Sequence, residues 1–178
     1  NPNGIWVVEF SYLPLLLKNL TYDQICHEHV TYYSLITFNK ILKNNNMKAV
    51  DLSFNEINGG SIEVICAKKN SKIKPKKIVE NILRKEENID KNIFDLFQDR
   101  VENVKKTLLE FLKNIPSKDI IGYGASTKGN VILNYCGITN NNLSYICDAN
   151  PSKEGKFTPG SHIKIISKSS MRKLKPKY

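Results

Sequence analysis

An α/β fold is predicted by three observations. Asp119–Asn130 followed by Val131-Ile132-Leu133 reads as strand, glycine turn and helix, and Leu143–Asp148 reads as the next strand, ending in an acid. That order is a Rossmann-like β-α-β unit. Upstream, the apolar run Ile5–Phe10 reads as a buried strand. Residues 47–67 read as an antiparallel pair around Asn58-Gly59-Gly60.

Taken in order, strand 5–10 leads to a short helix over about 12–19. A helix over about 35–46 follows and is stopped by Asn44-Asn45-Asn46. Met47–Phe54, with Val50, Leu52 and Phe54 alternating, pairs with Ser61–Ala67. Lys68–Lys77, with Pro75, reads as a linker. A helix over about 75–88 carries Ile78 and Ile82. Phe97, Val101, Val104, Leu108 and Phe111 recur at alternating four and three spacing, a helical stripe expected to pack against the next sheet. Pro116 and Ser117 break that helix. The opening apolar strand and the ending Lys175-Pro176-Lys177-Tyr178 both read as cuts, so a fragment of a longer protein is expected.

Composition narrows the function classes. A length of 178 residues suits one domain, or one and a fraction, and a hydrophobic share of 40% suits a packed core. No segment approaches the roughly 20 apolar residues that span a bilayer. Tyr12–Leu17 comes nearest and is ended by Lys18 and Asn19. Cys26, Cys66, Cys136 and Cys147 are scattered, with no C-x-x-C pair, so disulfides and structural zinc are not expected here and a reducing cytoplasm is. The net charge of +10 reads as a solvated basic surface. Arginine is scarce and no aromatics interleave with the basic runs, which argues against nucleic acid and leaves a basic groove for an anionic small molecule open.

Chemistry concentrates in Tyr22–Ser34, which holds two of the chain's three histidines, two acids and three tyrosines. His27, Glu28, His29 and Tyr32 are the candidate catalytic residues. An acid, a base and a phenol this close together can take a proton from a carbon and stabilise the charge that results. The plainer reading is a polar loop that closes a domain. A third is a metal site on His27 and His29, which point to one side of a strand but lack a third ligand at a familiar spacing.

The turn at Gly122–Asn130 is the candidate binding element. Gly122 and Gly124 permit close backbone approach, and Ser126, Lys128 and Asn130 offer polar groups at a helix N-terminus, where anions are favoured. The dinucleotide fingerprint is not met, because Thr127 stands where the third glycine belongs and Gly129 comes late. A P-loop fails too, since Asn130-Val131 replaces Lys-Ser/Thr. A bare connector therefore stands beside phosphate binding. Asp148 opens the loop Asp148-Ala149-Asn150-Pro151 at the carboxyl edge of the sheet, where binding clefts form. His162, before Ile163, Ile165 and Ile166, reads as structural.

Five stretches together resemble the nucleotide-linked ketosugar C-methyltransferases. They are Asp23-Gln24-Ile25-Cys26-His27-Glu28-His29-Val30-Thr31-Tyr32, Gly59-Gly60-Ser61, Gly122–Lys128, Asp148–Pro151 and Pro159-Gly160-Ser161-His162-Ile163. The resemblance covers nearly the whole chain, in order. It implies that residues 1–67 are the C-terminal part of an S-adenosylmethionine-dependent, class I methyltransferase Rossmann-like domain. Residues 68–77 would be a linker, and 78–178 most of a C-terminal Rossmann-like domain.

The resemblance also implies an activity. S-adenosylmethionine, bound mainly by residues outside this chain, would methylate a ring carbon of a nucleotide-linked sugar, and zinc would sit in a further N-terminal domain. His29 would deprotonate the carbon beside the ketone, Glu28 would orient the imidazole, and a tyrosine or a histidine would stabilise the enolate. Gly122–Asn130 and Asp148 would hold part of the nucleotide-sugar. The chain alone would be inactive, and a binding module without catalysis stays open beside this reading. Two departures stand out. Some members carry Tyr at the position of Cys26, and Glu63 stands where a basic residue is expected.

Overall fold

The structure, a computed structural model, describes residues 3–90 and 92–178. It divides into two compact units, Asn1–Tyr22 with His29–Asp99 and Asp23–Glu28 with Arg100–Tyr178.

The first unit is a three-stranded antiparallel sheet with helices on one face. β1 (Ile5–Ser11) leads to α1 (Leu13–Asn19); after the His-rich segment come α2 (Leu35–Asn44), β2 (Met47–Asn55) and β3 (Ser61–Lys68). The sheet order is β1-β3-β2. The expected pair over 47–67 is present, with Leu52 opposite Val64 and Phe54 opposite Ile62. Its alternation breaks between Ala49 and Asp51, where the register shifts. Ala49, Val50 and Leu52 are all buried in consequence, while Phe54 stays 42% exposed.

Leu35, Phe38 and Leu42, at helical spacing on α2, pack on Ile62, Val64 and Cys66 of the central strand. α3 (Lys77–Glu87) lays Val79, Ile82 and Leu83 on the same core. The expected linker is tied to this unit rather than free. Lys69 N donates to Asn46 O at 2.9 Å and Lys76 N to Val50 O at 2.8 Å. By packing, the first unit therefore runs past residue 77 into the following long helix.

Glu86, near the end of α3, is buried and reaches the N-terminus of α2. Its carboxylate accepts from Leu35 N and Ile36 N, each at 2.7 Å, and from the Tyr12 hydroxyl. Ser34 caps the same end by accepting from Thr37 N at 3.2 Å. The first three amides of α2, which have no partner inside the helix, are all satisfied this way. The negative charge also meets the positive end of the helix dipole. Burial, and then the Glu86 carboxylate, push the Tyr12 phenol above its ordinary value, so it stays a donor.

α4 (Ile93–Lys113) runs from the first unit into the second. Its predicted stripe is only partly core. Val101 is buried, but Val104 is 38% and Phe111 49% exposed, while Leu112, outside the stripe, is 6% exposed. Leu108, Leu109 and Leu112 meet the second core, and Phe111 instead meets the Tyr178 ring edge-on at 6.0 Å. A 21-residue helix at 3.6 residues per turn drifts off a seven-residue repeat, so one stripe cannot stay on the core throughout.

The second unit carries a parallel sheet in the order β4-β5-β6, of β4 (Ile121–Tyr123), β5 (Tyr145–Cys147) and β6 (Lys164–Ile166). α5 (Thr127–Cys136) crosses from β4 to β5, and α6 (Lys168–Leu174) follows β6. The predicted β-α-β unit is thus present. Among the described residues no helix is long and apolar enough to cross a membrane.

Glu86→Ala leaves two amides and a phenol buried without an acceptor. It should cost about 3–5 kcal/mol in equilibrium denaturant unfolding. Tyr12→Phe removes one partner and should cost about 1 kcal/mol. Equal losses for the two variants would show that the carboxylate does not hold α2.

Candidate active site

The His-rich segment is held at both ends within the first unit. Before it, Asn19 Nδ2 donates to Gly59 O at 2.7 Å. Gly59 has φ +77°, and a Cβ there would come within 2.2 Å of Thr21 Cγ2, so this close approach requires glycine. After the segment, Leu13 N donates to Tyr33 O at 3.0 Å, and Ser34 begins the α2 cap. His29 is exposed, and its ring meets the Tyr32 ring edge-on at 6.2 Å. Two of the candidate catalytic residues therefore lie together.

Ile25–Glu28 belongs to the second unit and lines a cavity of about 560 Å³ with Thr127, Asn130, Val131, Asn134, Tyr135 and Pro159. His27 and Glu28 thereby share one cavity with Asn130 of the candidate binding turn. Asn130 Oδ1 is buried with no hydrogen-bond partner, while its main-chain oxygen accepts from Asn134 Nδ2 at 2.7 Å. A buried acceptor without a donor is costly. A ligand hydroxyl or amide would relieve that cost.

Asn134, Tyr135 and Pro159 lie outside the sequence-based candidates. Asn134 Nδ2 also donates to Pro159 O at 3.0 Å, and Gly160 is small because a Cβ there would lie 2.0 Å from Asn134 Oδ1. The motif around Pro159 thus shapes the cavity wall. The Tyr135 hydroxyl donates to Glu102, whose carboxylate raises the phenol to about 12 and keeps it protonated. Asn134 and Tyr135 each lie one turn along α5 from Asn130 and Val131, a helical spacing that could have signalled a common face. His162 is exposed at φ +54°, in the Thr158–Ile163 turn where Thr158 Oγ1 accepts from Ile163 N at 2.9 Å.

The other turn residues do not line that cavity. Gly122 is needed for packing, since a Cβ would sit 3.0 Å from Ile146 and Leu143. Gly124 has φ +96° with open space beside it. Ser126 caps α5 by accepting from Gly129 N at 3.1 Å, and Lys128 is half-buried. Gly129 lets the helix approach the turn, its missing Cβ lying 3.1 Å from Gly124 O.

Asp148 is engaged on both oxygens. Oδ2 accepts from Ala125 N at 2.8 Å and from Lys153 Nζ at 3.0 Å, and Oδ1 accepts from Asn150 N at 2.8 Å. Lys153 Nζ also donates to Ala125 O at 2.8 Å. The Asn150 amide, and then Lys153, hold the carboxyl below the ordinary Asp value. The acid at this position commonly accepts from a ribose in Rossmann-type sites. Here it clamps the turn. Among the described residues no group of three or more His, Cys, Asp and Glu side chains can hold a metal ion, and the His27/His29 pair gains no third ligand.

An open α/β unit whose crossover helix walls a cavity shared with His27 and Glu28 is a Rossmann-like module. Residues 56–178 match the C-methyltransferase C-terminal domain, and the chain belongs to this C-methyltransferase family. The C-methyltransferase NovU of Streptomyces niveus is 32% identical over 182 residues, covering 99% of this chain and 43% of that protein. The chain thus spans less than half the length of that curated relative.

A carboxyl with a depressed folded-state pKa stabilises above its unfolded value and loses that contribution as pH falls through the folded value. Stability from Asp148 should therefore be full above its unfolded value, about pH 4, and be lost in the window where pH falls from there through the depressed folded value. Asp148→Asn should melt lower at neutral pH and show a flatter decline in that window. Parallel pH profiles for parent and variant would contradict the clamp.

Proposed function

We propose that this chain serves C-methylation of a nucleotide-linked ketosugar, with S-adenosylmethionine as the methyl donor. The observation that carries the reading is the single cavity on which His27, Glu28, Thr127 and Asn130 converge. Family membership supports carbon as the methylated atom. The reading follows the expected division into a methyltransferase part and a C-terminal Rossmann-like part.

A carbon beside a ketone is acidic enough for a histidine base. His29 takes that proton, and Glu28, its neighbour in the chain, tunes the imidazole through its charge. Tyr32, whose ring lies beside His29, is a fitting donor to the enolate oxygen. His27, Thr127, Asn130 and Asn134 give the cavity the hydroxyl, amide and imidazole groups that a sugar's hydroxyls need. Ser126 and Lys128, in the first turn of α5 and its cap, face the anionic part of the nucleotide-sugar, where the helix N-terminus adds favourable potential. Glu63, which stands where a basic residue is expected, lies in β3 opposite Glu9 and takes no part in this chemistry.

In the complete enzyme, His29→Asn should lower turnover at least about a hundredfold. Solvent deuterium exchange into the ketosugar, measured without methyl donor, should vanish with it. Full exchange in the variant would remove His29 from the mechanism. Lys128→Ala should raise KM for the nucleotide-sugar several-fold at low salt while kcat changes little. An unchanged KM would leave the turn a connector.

A further inference from the structure

The carboxyl edge of the parallel sheet carries a second set of groups, apart from the cavity. Tyr123, the last residue of β4, is 65% exposed. The next residue, Gly124, has open space where a side chain would stand. Lys168, the first residue of α6, holds its Nζ 5.6 Å from the centre of the Tyr123 ring. The Tyr123 phenol raises the Lys168 ammonium above its ordinary value, and Arg172 opposes this. Arg172 lies four residues on, on the same face of α6. Like charges at that spacing repel. Among the described residues neither cation forms an ion pair with an acid, and the nearby Asp148 is already committed to Lys153.

An exposed aromatic ring, a bare glycine and two uncompensated cations at the carboxyl edge of an open α/β sheet form a complementary surface for one ligand chemistry. The ring offers a stacking face to a flat heterocycle, and the cations offer donors to phosphate oxygens. Glycine leaves room between them. The ring and the paired charges, rather than the one-turn start of α6, make this surface.

We propose that Tyr123, Lys168 and Arg172 complete the nucleoside diphosphate site that Ser126 and Lys128 begin, with the base stacked on Tyr123 and the two cations sharing the phosphates with Lys128. This rests on the nucleotide-linked-sugar reading and deepens it, by assigning base recognition to the end of β4 and leaving the sugar to the cavity beside α5.

The test is titration calorimetry on the complete protein that carries this chain, with UDP, dTDP and inorganic pyrophosphate as probes. Tyr123→Ala should weaken both nucleoside diphosphates at least about fivefold and leave pyrophosphate unchanged. Tyr123→Phe should bind like the parent. Lys168→Ala should weaken all three probes, more at low salt. Tyr123 is exposed, so circular dichroism should show these variants folded. Parent-like affinity for the nucleotides in Tyr123→Ala overturns the proposal. So does an equal loss for nucleotides and pyrophosphate, or a parent that binds no nucleotide. The deuterium-exchange assay on His29→Asn reports on deprotonation alone, so failure of this site is distinguishable from failure of the proposed function.

Discussion

The Glu86 carboxylate is the interaction on which the first unit's chemistry depends. It joins α3 to the N-terminus of α2 and to Tyr12 at the end of β1. These three elements surround the point where the His-rich segment re-enters regular structure. A buried carboxylate is costly unless its lone pairs are used. Here two amides and a phenol use them, so the charge is stabilised and in turn fixes where α2 starts. Tyr33 and Ser34, immediately before that start, are held by backbone and cap hydrogen bonds. The exposed residues before them, His29 among them, lead directly into this anchor.

The second unit applies the same logic with a different pair. Asp148 and Lys153 bind Ala125 on its N–H and its carbonyl, fixing the glycine turn from the neighbouring strand. The acid in a dinucleotide site faces outward to a ribose. Turning it inward gives a rigid turn. Asn130, with its buried unpartnered acceptor, and the Tyr123–Lys168 edge are where the second unit still has chemistry to offer. A Rossmann-like frame thus keeps its connectivity while its polar contacts are redistributed.

Most of the fold was legible from local pattern. β1, α1, α2, β2, β3, α3 and α5 fall within a few residues of where apolar runs, periodicity and turn residues placed them. But β1, expected as a buried strand, leaves Ile5, Trp6 and Val7 exposed, because among the described residues its outer edge has no neighbouring strand in the sheet. The α4 stripe misled for a geometric reason. Heptad spacing says which residues share a face for two turns, and not which face meets a core when a long helix crosses from one unit to another. The segment 68–77 shows another long-range pairing. Its lysines looked solvated, but its backbone amides pair with Asn46 and Val50, partners that are remote in sequence.

By itself the sequence determined the chemistry available. It supplied the run of histidines, acids and tyrosines, the glycine turn before a helix, and five ordered motifs that place the chain in its family. Those are local features, set by residue type and spacing. Only the tertiary structure decided how they are used. It set His27 and Glu28 against Asn130 and Asn134, tied Asp148 to the Ala125 amide, and gave Glu86 its partners. These depend on contacts between residues tens of positions apart. Long-range polar pairing has no period to read, since it is fixed by packing of whole elements rather than by neighbours along the chain.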